Sequence, residues 1–358
     1  MKRLKVALVG CGGAGGLHCE LGFAALPERF ELAIACDKDQ SRRESFARRY
    51  DIPRVAATFD EVLAEADIDV VSICTLPSAH FEQIAKALNA GKHVICEKPL
   101  VASLAEFDQI ATLAGQSRGR LMPIFQYRFG AGVERVKRVI DRGLAGRAYV
   151  SSVETSWRRG VDYYEGTWRG RFATELGGVL ITQAIHLHDL LFYLIGPART
   201  VTGFKTTRVN PVEVEDCAAG ALQMADGSLA TITATLGSMR QISRLRLCFE
   251  NVTFERESEG DAAYRPGDDP WTFTAKDKET ELAIARAMAE PTATRSYFAR
   301  QFELFADAIA SGGPLPVALD DARRALELIT AFFHASETGR IVALPLGADH
   351  PGYRGWTS

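Results

Sequence analysis

Leu4-Lys5-Val6-Ala7-Leu8-Val9-Gly10-Cys11-Gly12-Gly13-Ala14-Gly15 decides the fold of this chain. Leu4–Val9 is a mostly apolar run with β-branched members, which reads as a buried parallel strand. It runs into G-x-G-x-x-G at Gly10, Gly12 and Gly15, with Gly13 and Ala14 filling the turn. The first glycine permits a tight turn, and the second lets backbone approach a pyrophosphate. The third lets the next helix pack closely and aim its positive end at phosphate. A helical stretch at about 16–26 follows, then a strand at 31–36 ending in Asp37, 22 residues beyond Gly15. An acidic side chain at that distance accepts hydrogen bonds from an adenosine ribose 2′-OH. Asp37 therefore favours NAD, since a 2′-phosphate would meet a like charge. Lys38, Arg42 and Arg43 lie close enough to leave NADP open.

Outward from this segment, strands (Leu4–Val9, 31–36, 54–57, 69–74, His93–Cys96, 121–125) alternate with helical patterns up to residue 126. Short connections between them predict a doubly wound parallel sheet, an α/β Rossmann domain over 1–126. A helix at about 129–142 follows. Long strands at 148–157, 200–207, 216–224, 228–236 and 244–254 then predict an α+β domain over 127–358 with a large, mostly antiparallel open sheet. The turn Ala225-Asp226-Gly227-Ser228 joins two of them as a hairpin. Residues 255–294 are charged and rich in Pro and Gly, and read as a surface excursion. Two helices close the chain, the first with Phe298, Phe302, Phe305 and Ile309 on one face.

Length and composition bound the rest. At 358 residues, two domains are expected. A net charge of −3 and a pI near 6.2 argue against nucleic acid or an anionic membrane as partner. The most apolar stretch, 179–195, is interrupted by Thr182, Gln183, His186, His188 and Asp189. The seven cysteines form no C-x-x-C and no secretory leader is visible, so a reduced, cytoplasmic protein is expected. No metal spacing is present: His186 and His188 are offset by two and cannot share a helix face.

Two places carry candidate chemistry. Glu97-Lys98-Pro99 directly follows the strand at His93–Cys96, putting a carboxylate and an ammonium where open α/β sheets bind ligands. Pro99 keeps Lys98 out of the helical region. The second is the helix at 179–195, apolar nearly all round, in which Thr182, His186 and Asp189 form one polar stripe at i, i+4 and i+7. Burying such groups unpaired costs about 1–3 kcal/mol each, so they pair or face a wet cleft. Read by itself, the stripe is a satisfied buried histidine or a catalytic wall, with His186 as acid/base. Hydride transfer from an alcohol needs a proton acceptor, a cation beside the developing alkoxide and a C–H aimed at nicotinamide. His186 and Lys98 supply the first two.

Together these residues resemble the glucose-fructose oxidoreductase / inositol dehydrogenase / MocA family. The resemblance rests on the fingerprint, Asp37, Thr75-Leu76-Pro77-Ser78-Ala79-His80, Glu97-Lys98-Pro99, Trp168-Arg169-Gly170, and Gly177-Gly178 through His186 to Asp189. It implies that Lys98 touches substrate hydroxyl and nicotinamide ribose and that His186 handles the proton. It further implies that Glu97, Thr75, Leu76, Pro77 and His80 line the cofactor and that Trp168 and Arg169 close over it. Read alone, the last pair is a cation–π contact and His80 an ordinary helix-start residue. The resemblance also implies a homodimer or homotetramer through the C-terminal sheet.

One departure stands out. Many members have an aspartate four residues before the histidine, where this chain has Thr182. The proton relay then uses His186 alone, Lys98, or another carboxylate, Asp189 being one candidate. Gln183, within Gln-Ala-Ile-His, tilts the substrate toward a pyranose or sugar derivative over free inositol. The expected activity is NAD(P)-dependent oxidation of a sugar or cyclic polyol. Two alternatives remain: a glycoside-cleaving enzyme that recycles tightly bound NAD, and a non-enzymatic NAD(P) sensor.

Overall fold

The computed structural model describes residues 3–356. The chain forms two units: Met1–Phe125 with Arg295–Arg323, and Gln126–Thr294 with the segment from Arg324 onward.

The first unit is built on a six-stranded parallel sheet. Its strands are β1 (Leu4–Val9), β2 (Phe30–Cys36), β3 (Arg54–Ala56), β4 (Val70–Ile73), β5 (His93–Cys96) and β6 (Leu121–Pro123). They lie in the order β3-β2-β1-β4-β5-β6, every pairing parallel. Helices cover both faces, so β4 is buried at all four positions and reads as an uninterrupted apolar run apart from Ser72. The expected Rossmann sheet is borne out.

The expected boundary at 126/127 requires correction, because Arg295–Arg323 returns to the first unit. The cause is an aromatic face. On the helix Tyr297–Ser311, Phe298, Phe302 and Phe305 are buried, and the Phe302 ring lies 4.6 Å from that of Phe23. Phe302 also passes so close to Gly22 that a Cβ there would come within 2.4 Å of the ring. The single helix expected after the fingerprint is divided locally: an α-turn Gly13–Leu17, a wider π-turn His18–Gly22 and a 3₁₀ turn Phe23–Ala25.

The second unit carries an eight-stranded sheet. Its strands are β7 (Ala148–Arg158), β8 (Ala198–Thr206), β9 (Cys217–Met224), β10 (Leu229–Thr235), β11 (Gly237–Phe249), β12 (Val252–Glu259), β13 (Thr272–Ala275) and β14 (Val342–Ala343). The order is β13-β12-β11-β7-β10-β9-β8-β14, antiparallel except for β7 beside β10. One face packs inward through Val153, Ile232, Leu245 and Phe254; the other presents Arg244, Arg246, Glu255 and Glu257. The β9–β10 hairpin forms as expected, with Gly227 at φ +90°. The strand expected at 244–254 is instead a hairpin, and the supposed excursion holds most of β12, all of β13 and the helix Lys278–Ala289.

Candidate active site

In the first unit the fingerprint turn is shaped for close backbone approach. Gly10 sits at φ +98°, and a Cβ on it would fall 2.6 Å from the Cys74 carbonyl oxygen. A Cβ on Gly15 would fall 2.4 Å from the Gly10 carbonyl oxygen, so only glycine lets the helix start against the strand. Gly12 and Gly13 are exposed with nothing near their Cβ positions, and Ala14 is half-buried. The result is an open ledge of backbone that fits a dinucleotide pyrophosphate. Asp37 is locked onto this ledge: its carboxylate accepts from the Cys11 N–H and the Asp39 N–H, both at 3.0 Å. The Arg42 guanidinium stands 3.8 Å from it.

Glu97-Lys98-Pro99 leaves the carboxyl end of β5, and the Lys98–Pro99 peptide is cis. Glu97 and Lys98 are half-buried, Glu97 accepting from its neighbour's backbone, Lys98 N–H, at 3.1 Å. Its other oxygen meets His18 Nε2 at 3.1 Å. His18 is fully buried, with Nδ1 2.9 Å from Ser72 Oγ and its ring packed by Phe298 and Phe302. The position of Glu97 is therefore fixed by a residue of the fingerprint helix. His18 belongs to no motif in the sequence; its place three residues past Gly15 is the one signal that marks it.

His80 needs correction. It is fully buried, its ring nitrogens facing the Pro99 carbonyl at 2.8 Å and the Thr75 carbonyl at 3.2 Å. A side chain with no exposed surface is not placed to line a cofactor; His80 instead braces the Thr75 and Pro99 segments. Burial pushes its pKa down, against the hydrogen bonds to the two carbonyls, which push it up. Of the same segment, Thr75 and Leu76 are half-buried, Thr75 donating to Gln83, while Pro77 is buried.

In the second unit the apolar helix begins with a π-turn, Leu180–Ala184, and continues as Ile185–Ile195. Glu215 caps its start, accepting from Gly178 N–H at 2.9 Å and Leu180 N–H at 3.0 Å. Every residue from 179 to 192 is buried except Thr182. His186 stacks on Tyr127 with ring centroids 4.6 Å apart. His188 is also buried, and desolvation drives its pKa down to about 3. His186 is buried as well, at 6% exposure.

Asp189, expected as a stand-in relay carboxylate, has a different assignment. It is 1% exposed and forms a bidentate pair with Arg128, Nε to Oδ2 at 2.7 Å and Nη2 to Oδ1 at 2.5 Å. Both oxygens serve the buried guanidinium. The carboxylate beside the stripe is Glu175, which accepts the Thr182 hydroxyl at 3.0 Å. Trp168 and Arg169 form the expected cation–π contact at 4.6 Å, and Arg169 also lies 4.5 Å over Tyr163. Tyr163 in turn accepts from Gln183 at 3.3 Å.

Comparison with known proteins adds identity to this geometry. Residues 4–125 match the family model described as oxidoreductase family, NAD-binding Rossmann fold, and residues 133–255 match the corresponding C-terminal domain. The chain belongs to the Gfo/Idh/MocA oxidoreductase family. An uncharacterized oxidoreductase of Schizosaccharomyces pombe is 31% identical over 61% of this chain, the match spanning 59% of that relative. The D-glucoside 3-dehydrogenase of Escherichia coli is 25% identical over 95% of this chain and 97% of its own length. Among solved structures, the WlbA dehydrogenase of Bordetella pertussis, in complex with NADH and UDP-GlcNAcA, superposes with a TM-score of 0.83 at 25% identity. It covers 97% of this chain and 100% of its own. For this Gfo/Idh/MocA member, the expected family and NAD-binding Rossmann domain are thus borne out.

Proposed function

We propose that the protein oxidises a ring hydroxyl of a pyranoside, most specifically at C3, using NAD. The observation that carries this reading is the match to a D-glucoside 3-dehydrogenase across 95% of the chain, which takes in both units. Bound NAD supplies the hydride acceptor. The Gly12-Gly13-Ala14 ledge holds the pyrophosphate, Asp37 holds the ribose hydroxyls, and Trp168 with Arg169 covers the cofactor. Lys98, presented half-buried by the turn that Glu97 and His18 hold, stabilises the alkoxide as it develops. His186 accepts the hydroxyl proton, its imidazole held face-on by Tyr127. Self-association follows from the same reading, through the sheet face bearing Arg244 and Glu257, and light scattering of the purified protein tests it.

The activity test is reduction of NAD with methyl β-D-glucopyranoside, followed by nicotinamide absorbance. Lys98→Met is expected to lower kcat by roughly 10²–10³-fold, the scale of losing one preorganised charge at a developing oxyanion. Undiminished turnover in that variant would refute the role given to Lys98.

A further inference from the structure

Glu215 is a buried carboxylate to which the mechanism above gives no part. It lies between β8 and β9, 3% exposed, and grips three consecutive residues at the start of the active-site helix. Its Oε2 accepts the Gly178 N–H at 2.9 Å and its Oε1 the Leu180 N–H at 3.0 Å, while its backbone carbonyl accepts the Val179 N–H at 2.8 Å. The approach is close: a Cβ on Gly178 would fall 1.8 Å from that carbonyl oxygen. The π-turn Leu180–Ala184 follows at once, with Thr182 inside it and His186 in the α-helix that continues it. A π-turn takes up one residue more than an α-turn, so the residue at which it begins sets which side chains share a face beyond it.

We propose that Glu215 is a positioning residue for proton transfer: by holding Gly178 and Leu180 it fixes where the π-turn begins, and so how Thr182 and His186 are presented together. This rests on the dehydrogenase reading above. The grip needs the ionised form. A carboxylate only accepts, whereas a protonated carboxyl carries an O–H that would face one of these N–H groups and release it. Burial pushes the Glu215 pKa up to about 7, against the Gly178, Leu180 and Glu215 N–H groups and the Lys205 charge, which pull it down. Of its other titratable neighbours, Tyr164 is held above its ordinary value chiefly by burial, with Glu175, Tyr163, Asp216 and Glu215 adding to the effect. Asp216 spends its carboxylate on the Arg208, Val209 and Asn210 N–H groups. The charge on Glu215 therefore changes through the neutral range, and the grip changes with it.

The test is the ratio of wild-type to Glu215→Gln kcat on methyl β-D-glucopyranoside with NAD, measured at pH 8.5 and pH 6 in the full-length protein. Glutamine offers one accepting oxygen where two are needed, and its NH₂ faces an N–H, so at every pH it mimics the protonated carboxyl. Titration of residues common to both proteins cancels in the ratio. The ratio should be about tenfold at pH 8.5 and fall to within about twofold at pH 6, the scale of a misaligned acid/base group. NADH affinity, read by fluorescence titration, should stay within about threefold, since the fingerprint lies in the first unit. A carboxylate with a merely structural role gives a ratio that does not change with pH. That result, or a ratio near one throughout, overturns the inference while leaving the dehydrogenase reading intact. If melting curves show that Glu215→Gln does not fold, ¹H–¹⁵N spectra of the wild type decide. The Gly178 and Leu180 amide signals should shift together between pH 8.5 and pH 6, and signals that stay constant overturn the inference. A wild type that reduces NAD with no glycoside overturns both.

Discussion

Asp189→Asn separates a structural from a catalytic role for a carboxylate lying three residues beyond His186. The Arg128–Asp189 pair is buried on both sides, with side-chain exposures of 6% and 1%. Asparagine preserves the shape but offers one oxygen where the guanidinium fork needs two. Its NH₂ then faces an N–H, and the bidentate ion pair is broken. Breaking such a pair from one side costs about 3–5 kcal/mol. Arg128 keeps its stacking on Tyr193, 4.9 Å from the ring centre, which places the cost toward the lower end of that range. For a unit of roughly 200 residues, each kcal/mol moves Tm by about 2–4 °C, so a fall of roughly 10 °C is expected.

The companion variant is Arg128→Met with Asp189→Leu, which replaces both charges by apolar groups of similar volume. Buried pairs exchanged whole are close to neutral, so Tm should return to within about 3 °C of wild type. Thermal unfolding by circular dichroism reads both variants, and kcat on the glycoside is measured well below each transition. If the pair is structural, the double variant regains stability and keeps kcat within a few-fold. An Asp189→Asn protein with unaltered Tm and kcat reduced more than about a hundredfold would refute this, and would return Asp189 to the proton relay.

Three further outcomes follow from the same structure. His188 has its pKa depressed to about 3, so the folded state excludes a proton that the unfolded chain binds below about pH 6.5. Its contribution is present above that pH and lost on acidification. Urea unfolding at pH 6.5 and 5 should show the stability gap between His188→Phe and wild type shifting in favour of the variant by about 1.6 kcal/mol in all. Gly15→Ala drives a Cβ to 2.4 Å from the Gly10 carbonyl oxygen. It should cost about 1–3 kcal/mol in stability and weaken NADH binding in a fluorescence titration, whereas unchanged affinity would contradict the role of the turn. Asp37→Ser removes a carboxylate 3.8 Å from Arg42, and the ratio of NADP to NAD affinity should rise by roughly tenfold, measured by the same titration.

How much of this was legible in the sequence depends on whether the determining contact is local. The strand, the glycine turn and Asp37 are set by neighbours within one βαβ unit, and the N-terminal sheet formed as read. The hairpin at Gly227 is local in the same way. By contrast, β12 alternates correctly, with Val252, Phe254, Arg256 and Ser258 facing inward, but half of that inward face is polar. The Arg256 head group is accommodated because it donates to the Pro270 carbonyl at 2.9 Å, a contact outside the strand itself. Period-two hydrophobicity therefore fades after Phe254, and the strand resembled a charged loop. Likewise, nothing within Arg295–Arg323 reveals that its phenylalanines pack on a helix near the N-terminus.

Glu175 is the clearest case of information that exists only in three dimensions. By sequence it is one more charged residue before Gly177-Gly178, seven positions from Thr182, a spacing that on a continuous helix would suggest a shared face and nothing more. The helix is not continuous. It is interrupted by a left-handed leucine and a glycine pair, and a Cβ on Gly178 would fall 1.8 Å from the Glu215 carbonyl oxygen. These constraints fold the carboxylate back onto the hydroxyl. Leu176→Gly tests them directly, because glycine adopts the left-handed conformation without the roughly 1–2 kcal/mol penalty carried by leucine. Removing the leucine side chain also frees the unfolded backbone, which offsets much of that gain. Tm should consequently move by no more than a few degrees, because the Glu175–Thr182 geometry needs the turn and not the side chain. A fall in Tm of more than about 10 °C in Leu176→Gly would mean that the leucine side chain itself, and not the backbone it bends, holds Glu175 in place.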